Sequence, residues 1–228
     1  YFAPEATIGD YVDYDGSVLV IDPSGRGQDE TAYAVVKMLN GYLYVADCAG
    51  ISGGYGESTL TKLSHIAKEH KVNVVLVESN FGDGMFTELL KPFLKKIYPV
   101  TTEEVRHSKQ KELRIIDTLE PVMNQHKLII DPKVIQKDYD SVQHHPPEKA
   151  QRYMLTYQLT RVTKQRGALA HDDRLDALAM GVAYWVEQMA ADVDMEMQQR
   201  KDELLRAEID RFLTLDNVNA PKRANTWI

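Results

Sequence analysis

Cysteine is almost missing from this 228-residue chain: Cys48 stands alone, so neither an intramolecular disulfide framework nor a cysteine-rich zinc site can form. One small thiol is most simply a buried hydrophobe in a reducing compartment. Long hydrophobic runs are missing as well. No stretch approaches the ~20 apolar residues that a membrane helix needs, and the N-terminus carries no signal-peptide pattern, so the sequence reads as cytosolic. Positive charge is not in excess. With 27 Lys and Arg against 34 Asp and Glu, the net charge is -7, and any contact with a polyanion has to come from local basic patches. There is no G-x-x-x-x-G-K-[ST] phosphate loop, no internal repeat and no low-complexity tract. The length suffices for one well-buried domain with appendages, or for two small ones.

What is present is a regular succession of strand and helix signals. Residues 1–16 are polar and turn-rich, and a chain opening on Tyr1 reads as a fragment whose N-terminal neighbour has been removed. SVLVID (17–22) reads as a strand. TAYAVVKML (31–39) and YLYVADCAG (42–50) follow as β-rich runs joined by Asn40-Gly41, the strongest short hairpin signal. Leu60, Leu63, Ile66 and Ala67 then fall at helical spacing, and VNVVLVES (72–79) is the near-continuous apolar run of a strand covered on both faces. GDGMFTELLKPFLKKI (82–97) is expected to be a glycine-led helix broken or kinked at Pro92. IYPVTT (97–102) reads as a short strand, KQKELRIIDTLEPVMNQ (109–125) as a helix and KLIID (127–131) as a short strand. LTYQLTRVT (155–163) is expected to be extended. QRGALAHDDRLDALAMGVAYWVEQM (165–189) is expected to be a helix entered through Gly167, followed by a separate charged helix, DMEMQQRKDELLRAEIDRFL (194–213), and the polar tail NVNAPKRANTWI. His144 and His145, beside Pro146 and Pro147, read as a surface loop. A hairpin meander followed by alternating helices and strands specifies an α/β fold of the ribonuclease H-like order. Its mixed sheet would be flanked by helices across residues 17–190, with a linker over 1–16 and a C-terminal helical extension over 191–228.

Three acidic points stand out against this framework. Asp22 ends the first strand, Glu78 ends the fourth, and Asp172, Asp173 and Asp176 open a helix. Each has a bland account on its own: a turn cap, a solvated strand end, and an N-cap with Asp176 paired to Arg174 or Lys164. Together they are harder to dismiss, because sites in open α/β sheets collect beyond the carboxyl ends of strands. Converging carboxylates repel one another and make sense mainly when divalent cations neutralise them. Oxygen-only ligands favour Mg2+ or Mn2+ over zinc. Two such ions could activate a water and stabilise the leaving oxygen of a phosphodiester.

At these residues the chain resembles a known family. VLVIDPSGRGQDETAY, VVLVESNFGDGMF and AHDDRLDALAMG, with the basic HSKQKELRII between the last two, resemble the C-terminal nuclease domain of the large terminase subunit of tailed bacteriophages, most like the podovirus type. The likeness extends over roughly residues 17–190. It implies that Asp22, Glu78 and Asp173 are catalytic and bind two Mg2+ or Mn2+ ions, with Asp172 and Asp176 as further candidate ligands. It implies DNA contact by Arg106, Lys109, Lys111 and Arg114; Lys149, Arg152, Arg161, Lys164 and Arg166 form a second basic cluster. The implied activity is cutting of concatemeric double-stranded DNA during viral genome packaging, in the host cytoplasm, leaving 3'-hydroxyl and 5'-phosphate ends. The family's N-terminal packaging ATPase would be absent from this chain. The portal protein and the small terminase subunit are the partners that the resemblance suggests for the charged C-terminal helix and the tail ending in Trp227 and Ile228. Three rivals stand beside this reading: a sugar-kinase or actin-like ATPase, a Holliday-junction resolvase-like nuclease, and a non-catalytic docking module in which the acids merely cap structure. His171 could assist a ligand or a proton transfer, but a lone histidine is more often structural.

Overall fold

The computed structural model describes residues 12–24, 30–79 and 84–218, with side chains up to residue 209. Most of the expected linker, residues 25–29 and 80–83, and the tail from residue 219 lie outside the described residues. The first three strands, β1 (Gly16–Asp22), β2 (Thr31–Leu39) and β3 (Tyr42–Ile51), form an antiparallel meander. At the β2–β3 turn Asn40 and Gly41 take φ of 52° and 75°, positive values that these two residue types adopt at least cost. Next come α1 (Glu57–Glu69), β4 (Val74–Glu78), α2 (Met85–Ile97), β5 (Thr101–Val105), α3 (Lys111–Asn124) and β6 (Leu128–Ile130). Four more helices complete the chain: α4 (Pro132–Ser141), α5 (Pro147–Tyr153), α6 (Leu155–Arg161) and α7 (Asp173–Val218). The strand order is β5-β4-β1-β2-β3-β6. β4 runs parallel to β1, β5 to β4 and β6 to β3, which makes the sheet mixed.

Both faces of the sheet are covered. On one, Leu19, Ile21, Tyr33 and Val35 pack with Leu60 and Leu63 of α1 and Leu90 and Leu94 of α2. Each such side chain contributes about 1.5–3 kcal/mol on burial. On the other face α7 crosses β1 and β2 at Gly181, where an added Cβ would meet Val36 at 2.7 Å and Val20 at 3.2 Å, so only glycine permits this approach. Four residues on, Trp185 donates its indole N–H to the Val36 carbonyl at 3.0 Å, and its ring fills the space beside Gly16. Val18 to Ile21 are fully buried, which is why β1 reads as an unbroken apolar run.

Several expectations need correction. Residues 155–161 are the helix α6, not an extended segment: the Asp138 carboxylate accepts the N–H groups of Leu155 and Thr156 at 2.8 and 3.1 Å. That buried cap overrides the strand bias of a Leu/Thr/Tyr-rich run. α4 and α5 were not anticipated, and each starts on a proline at its first position, where the missing N–H costs nothing. His144 and His145 lie between these two helices, with His145 stacked on Tyr153 at 4.2 Å. α2 passes through Pro92 without breaking, β5 lies later than IYPVTT suggested, and α7 spans the range where two helices were expected. The chain divides into two units, Tyr1–Trp185 and Val186–Ile228. In the second, Val193, Met195, Met197, Leu204, Leu205 and Ile209 are exposed. Among the described residues no helix is long and apolar enough to cross a membrane.

Candidate metal centre

Strand register brings the first two acids together. β1 and β4 are parallel with Ile21 opposite Val77, so the next residues, Asp22 and Glu78, leave neighbouring strands side by side at a spacing of about 4.8 Å. The third acid comes from α7, whose first turn begins at Asp173 and presents Asp176 one turn further in. One carboxylate oxygen from each of Asp22, Glu78 and Asp176 lies within 4.8 Å of the others. Asp176 is fully buried, while the side chains of Asp22 and Glu78 retain 13% and 9% exposure.

Two cations from α3 hold this group together. Lys111 Nζ lies 2.8 Å from Asp172, 3.2 Å from both Asp173 and Asp176, and 3.7 Å from Asp22. Arg114 Nη2 donates to Asp176 Oδ2 at 3.0 Å, lies 2.8 Å from its Oδ1 and approaches Glu78 at 3.8 Å. Lys111 and Arg114 stand one turn apart, so one face of α3 supplies both charges. Burial is the main force on Asp176, pushing its carboxyl up to about 6 against the pull of Lys111 and Arg114, with Glu78 adding to the rise. Burial also raises Asp22 well above an ordinary aspartate, opposed by Lys111 and reinforced by Glu78, Asp173 and Asp176. Burial works against the Lys111 ammonium too, yet Asp176, Asp22, Asp173 and Asp172 outweigh it and hold the group above its ordinary range. Carboxylates kept this close are poor for stability on their own. A hard divalent cation suits such an all-oxygen cluster, and the Asp22 Oδ2, buried without a hydrogen bond, is the kind of oxygen it would take.

The candidates therefore separate. Asp22, Glu78 and Asp176 converge, whereas Asp172 and Asp173, 21% and 26% exposed, reach the cluster through the Lys111 ammonium. Of the expected basic residues, Lys111 and Arg114 turn inward to the acids. Arg106 is exposed and its Nε donates to Ser79, the residue after Glu78, at 3.2 Å; Lys109 is exposed at the surface. Asp176 is paired with neither Arg174 nor Lys164, since Arg174 runs to Glu30 and Asp138. His171 stacks on Tyr153 at 3.8 Å. Glu30, Asp138 and Arg174 were absent from the sequence-based set; the only available signal was an Arg set between acids of a helix's first turn.

Fold and site together define a nuclease-type domain of the ribonuclease H-like class. The family profile described as "Terminase Bacteriophage T7, Ribonuclease H-like domain" matches residues 21–128. The large terminase subunit of Enterobacteria phage T3 is 49% identical over 200 residues, covering 88% of this chain and 33% of that protein. This chain belongs to the terminase large-subunit family, through its ribonuclease H-like nuclease domain. It spans about a third of the length of the curated relative it matches. Among solved structures, the manganese-soaked, inhibitor-bound terminase nuclease domain of human cytomegalovirus superposes with a TM-score of 0.52 at 15% identity, over 75% of this chain and 84% of that one. Another structure of the cytomegalovirus domain gives 0.50 at 14% identity, over 75% and 85%. At these identities the likeness concerns the fold.

Proposed function

We propose that this domain is the endonuclease of a viral DNA-packaging motor, cutting concatemeric double-stranded DNA with Asp22, Glu78 and Asp176 as the ligands of Mg2+ or Mn2+. The observation that carries this reading is the convergence of three carboxylates from β1, β4 and α7 within 4.8 Å. Asp173 and Asp172, which contact Lys111 at 3.2 and 2.8 Å, are the acids that would serve a second ion in this reading. Two bound ions would supply an activated water and stabilise the charge on the leaving oxygen. The protein's own contribution is to crowd negative charge where cations are wanted and to orient the substrate. The buried Nε and Nη1 of Arg114 donate to no described residue, so this guanidinium has donors beyond those that face Asp176. Exposed Arg106 and Lys109 would hold the backbone of the duplex without reading sequence. Within the assembled motor, in the host cytoplasm, the portal protein and the small terminase subunit are the partners proposed for the C-terminal unit. The test is Asp22→Asn. Manganese-dependent cleavage of a linear duplex should fall by orders of magnitude, and near-normal cutting would sink the mechanism. Preferential cleavage of four-way junctions over linear DNA would favour the resolvase reading instead.

A further inference from the structure

Arg174 follows Asp173 and precedes Asp176 by two residues, and it is the largest fully buried side chain among the described residues. Two residues turn an α-helix by about 200°, so Arg174 leaves α7 on the side opposite Asp176. Its guanidinium is gripped from two directions. Nε and Nη2 donate to the Glu30 carboxylate at 2.6 and 2.8 Å, while Nη1 donates to Asp138 Oδ1 and Ser141 Oγ, both at 2.8 Å. Both partners are themselves anchored. Glu30 lies against β3 at Gly50, where an added Cβ would sit 1.9 Å from its carboxylate, and it precedes by two residues Ala32, the residue paired with Asp22. Asp138 caps α6, whose Gln158 in turn accepts the Leu175 N–H at 2.9 Å.

A buried ion pair is weak evidence for stability, because apolar residues of similar volume often serve as well. What this one supplies is a fixed distance. It ties the turn of α7 that carries Asp176 to the strand segment that pairs with Asp22. We infer that the Glu30–Arg174–Asp138 bridge is a positioning device that sets where Asp176 stands relative to Asp22 and Glu78, and thereby the affinity of the centre for a divalent cation. This rests on the metal reading proposed above.

Deleting Arg174 outright would strand two buried carboxylates and endanger the fold, so the test uses Arg174→Lys and Glu30→Gln in the full chain. Leu63→Ala, in α1 away from the site, serves as a reference for general destabilisation, and Asp176→Asn as the control for the site itself. Mn2+ alone is titrated into each protein by calorimetry, with a thermal melt alongside. The bridge variants should bind Mn2+ about 10- to 100-fold more weakly, the usual effect of removing groups that orient metal ligands, while Leu63→Ala melts lower yet keeps the wild-type affinity. Bridge variants that melt lower but bind Mn2+ as the wild type does would overturn the inference and leave a purely structural ion pair. A wild-type protein that binds no Mn2+, or an Asp176→Asn variant that binds it normally, would overturn the metal reading instead.

Discussion

Asp176→Asn separates the geometry of this site from the assignment that the sequence favoured. The substitution keeps the shape of the side chain and removes a charge that burial disfavours. With its carboxyl pushed up to about 6, the ionised form of Asp176 costs up to ~3 kcal/mol at neutral pH relative to a free aspartate. Against this, Arg114 loses a charged acceptor, worth about 1.5–3 kcal/mol, although the amide oxygen can still accept one bond. The two effects nearly cancel, so the metal-free variant should melt within a few degrees of the wild type. The response to metal should differ sharply. At Mn2+ one hundred times above its dissociation constant, the wild type gains about 2.7 kcal/mol, which for a chain of this size raises the melting temperature by about 5–10 °C. Asp176→Asn should gain almost nothing. Asp173→Asn, which loses one contact to Lys111 at a partly exposed position, should retain most of the rise. A thermal melt with and without manganese reads both variants. The reasoning fails if Asp173→Asn abolishes the shift and Asp176→Asn keeps it.

Lys111→Ala should lower the metal-free stability by on the order of 2 kcal/mol, because four carboxylates lose their shared cation, and saturating Mn2+ should restore most of the loss; an equal deficit with and without metal would count against a charge-balancing role. The pH dependence has a definite sign. A carboxyl raised to about 6 in the folded protein holds a proton that the unfolded chain has already lost, so Asp176 contributes stability at low pH that disappears as pH rises through about 6. Mn2+ affinity, which needs the ionised form, should climb over the same interval. Melts and titrations at pH 5, 6 and 7 would reveal opposite slopes, and parallel ones would contradict the burial of Asp176.

Much of this arrangement was legible because it rests on short-range rules. Strand-terminal Asp22 and Glu78 declared themselves by ending apolar runs, and Asn40-Gly41 set the hairpin. The third converging acid was less accessible: Asp173 and Asp176 share one helix face, and only the packing of α7 shows which of them is deep. Lys111 and Arg114 looked like part of a surface charge run because nothing in a local pattern says which way a basic side chain turns. α6 hid for a related reason. Its composition favours a strand, and the carboxylate that caps it lies 17 residues earlier, on Asp138.

The register that sets Asp22 beside Glu78 has a consequence in time as well as in space. Asp176 is synthesised about a hundred residues after Glu78. A nascent chain that has made its meander and its β1–β4 pairing holds only two of the three converging acids. The last of the three converging acids arrives only with α7, whose Gly181 packs against Val20 and Val36, so the proposed cation site depends on the latest-made of the elements that build it.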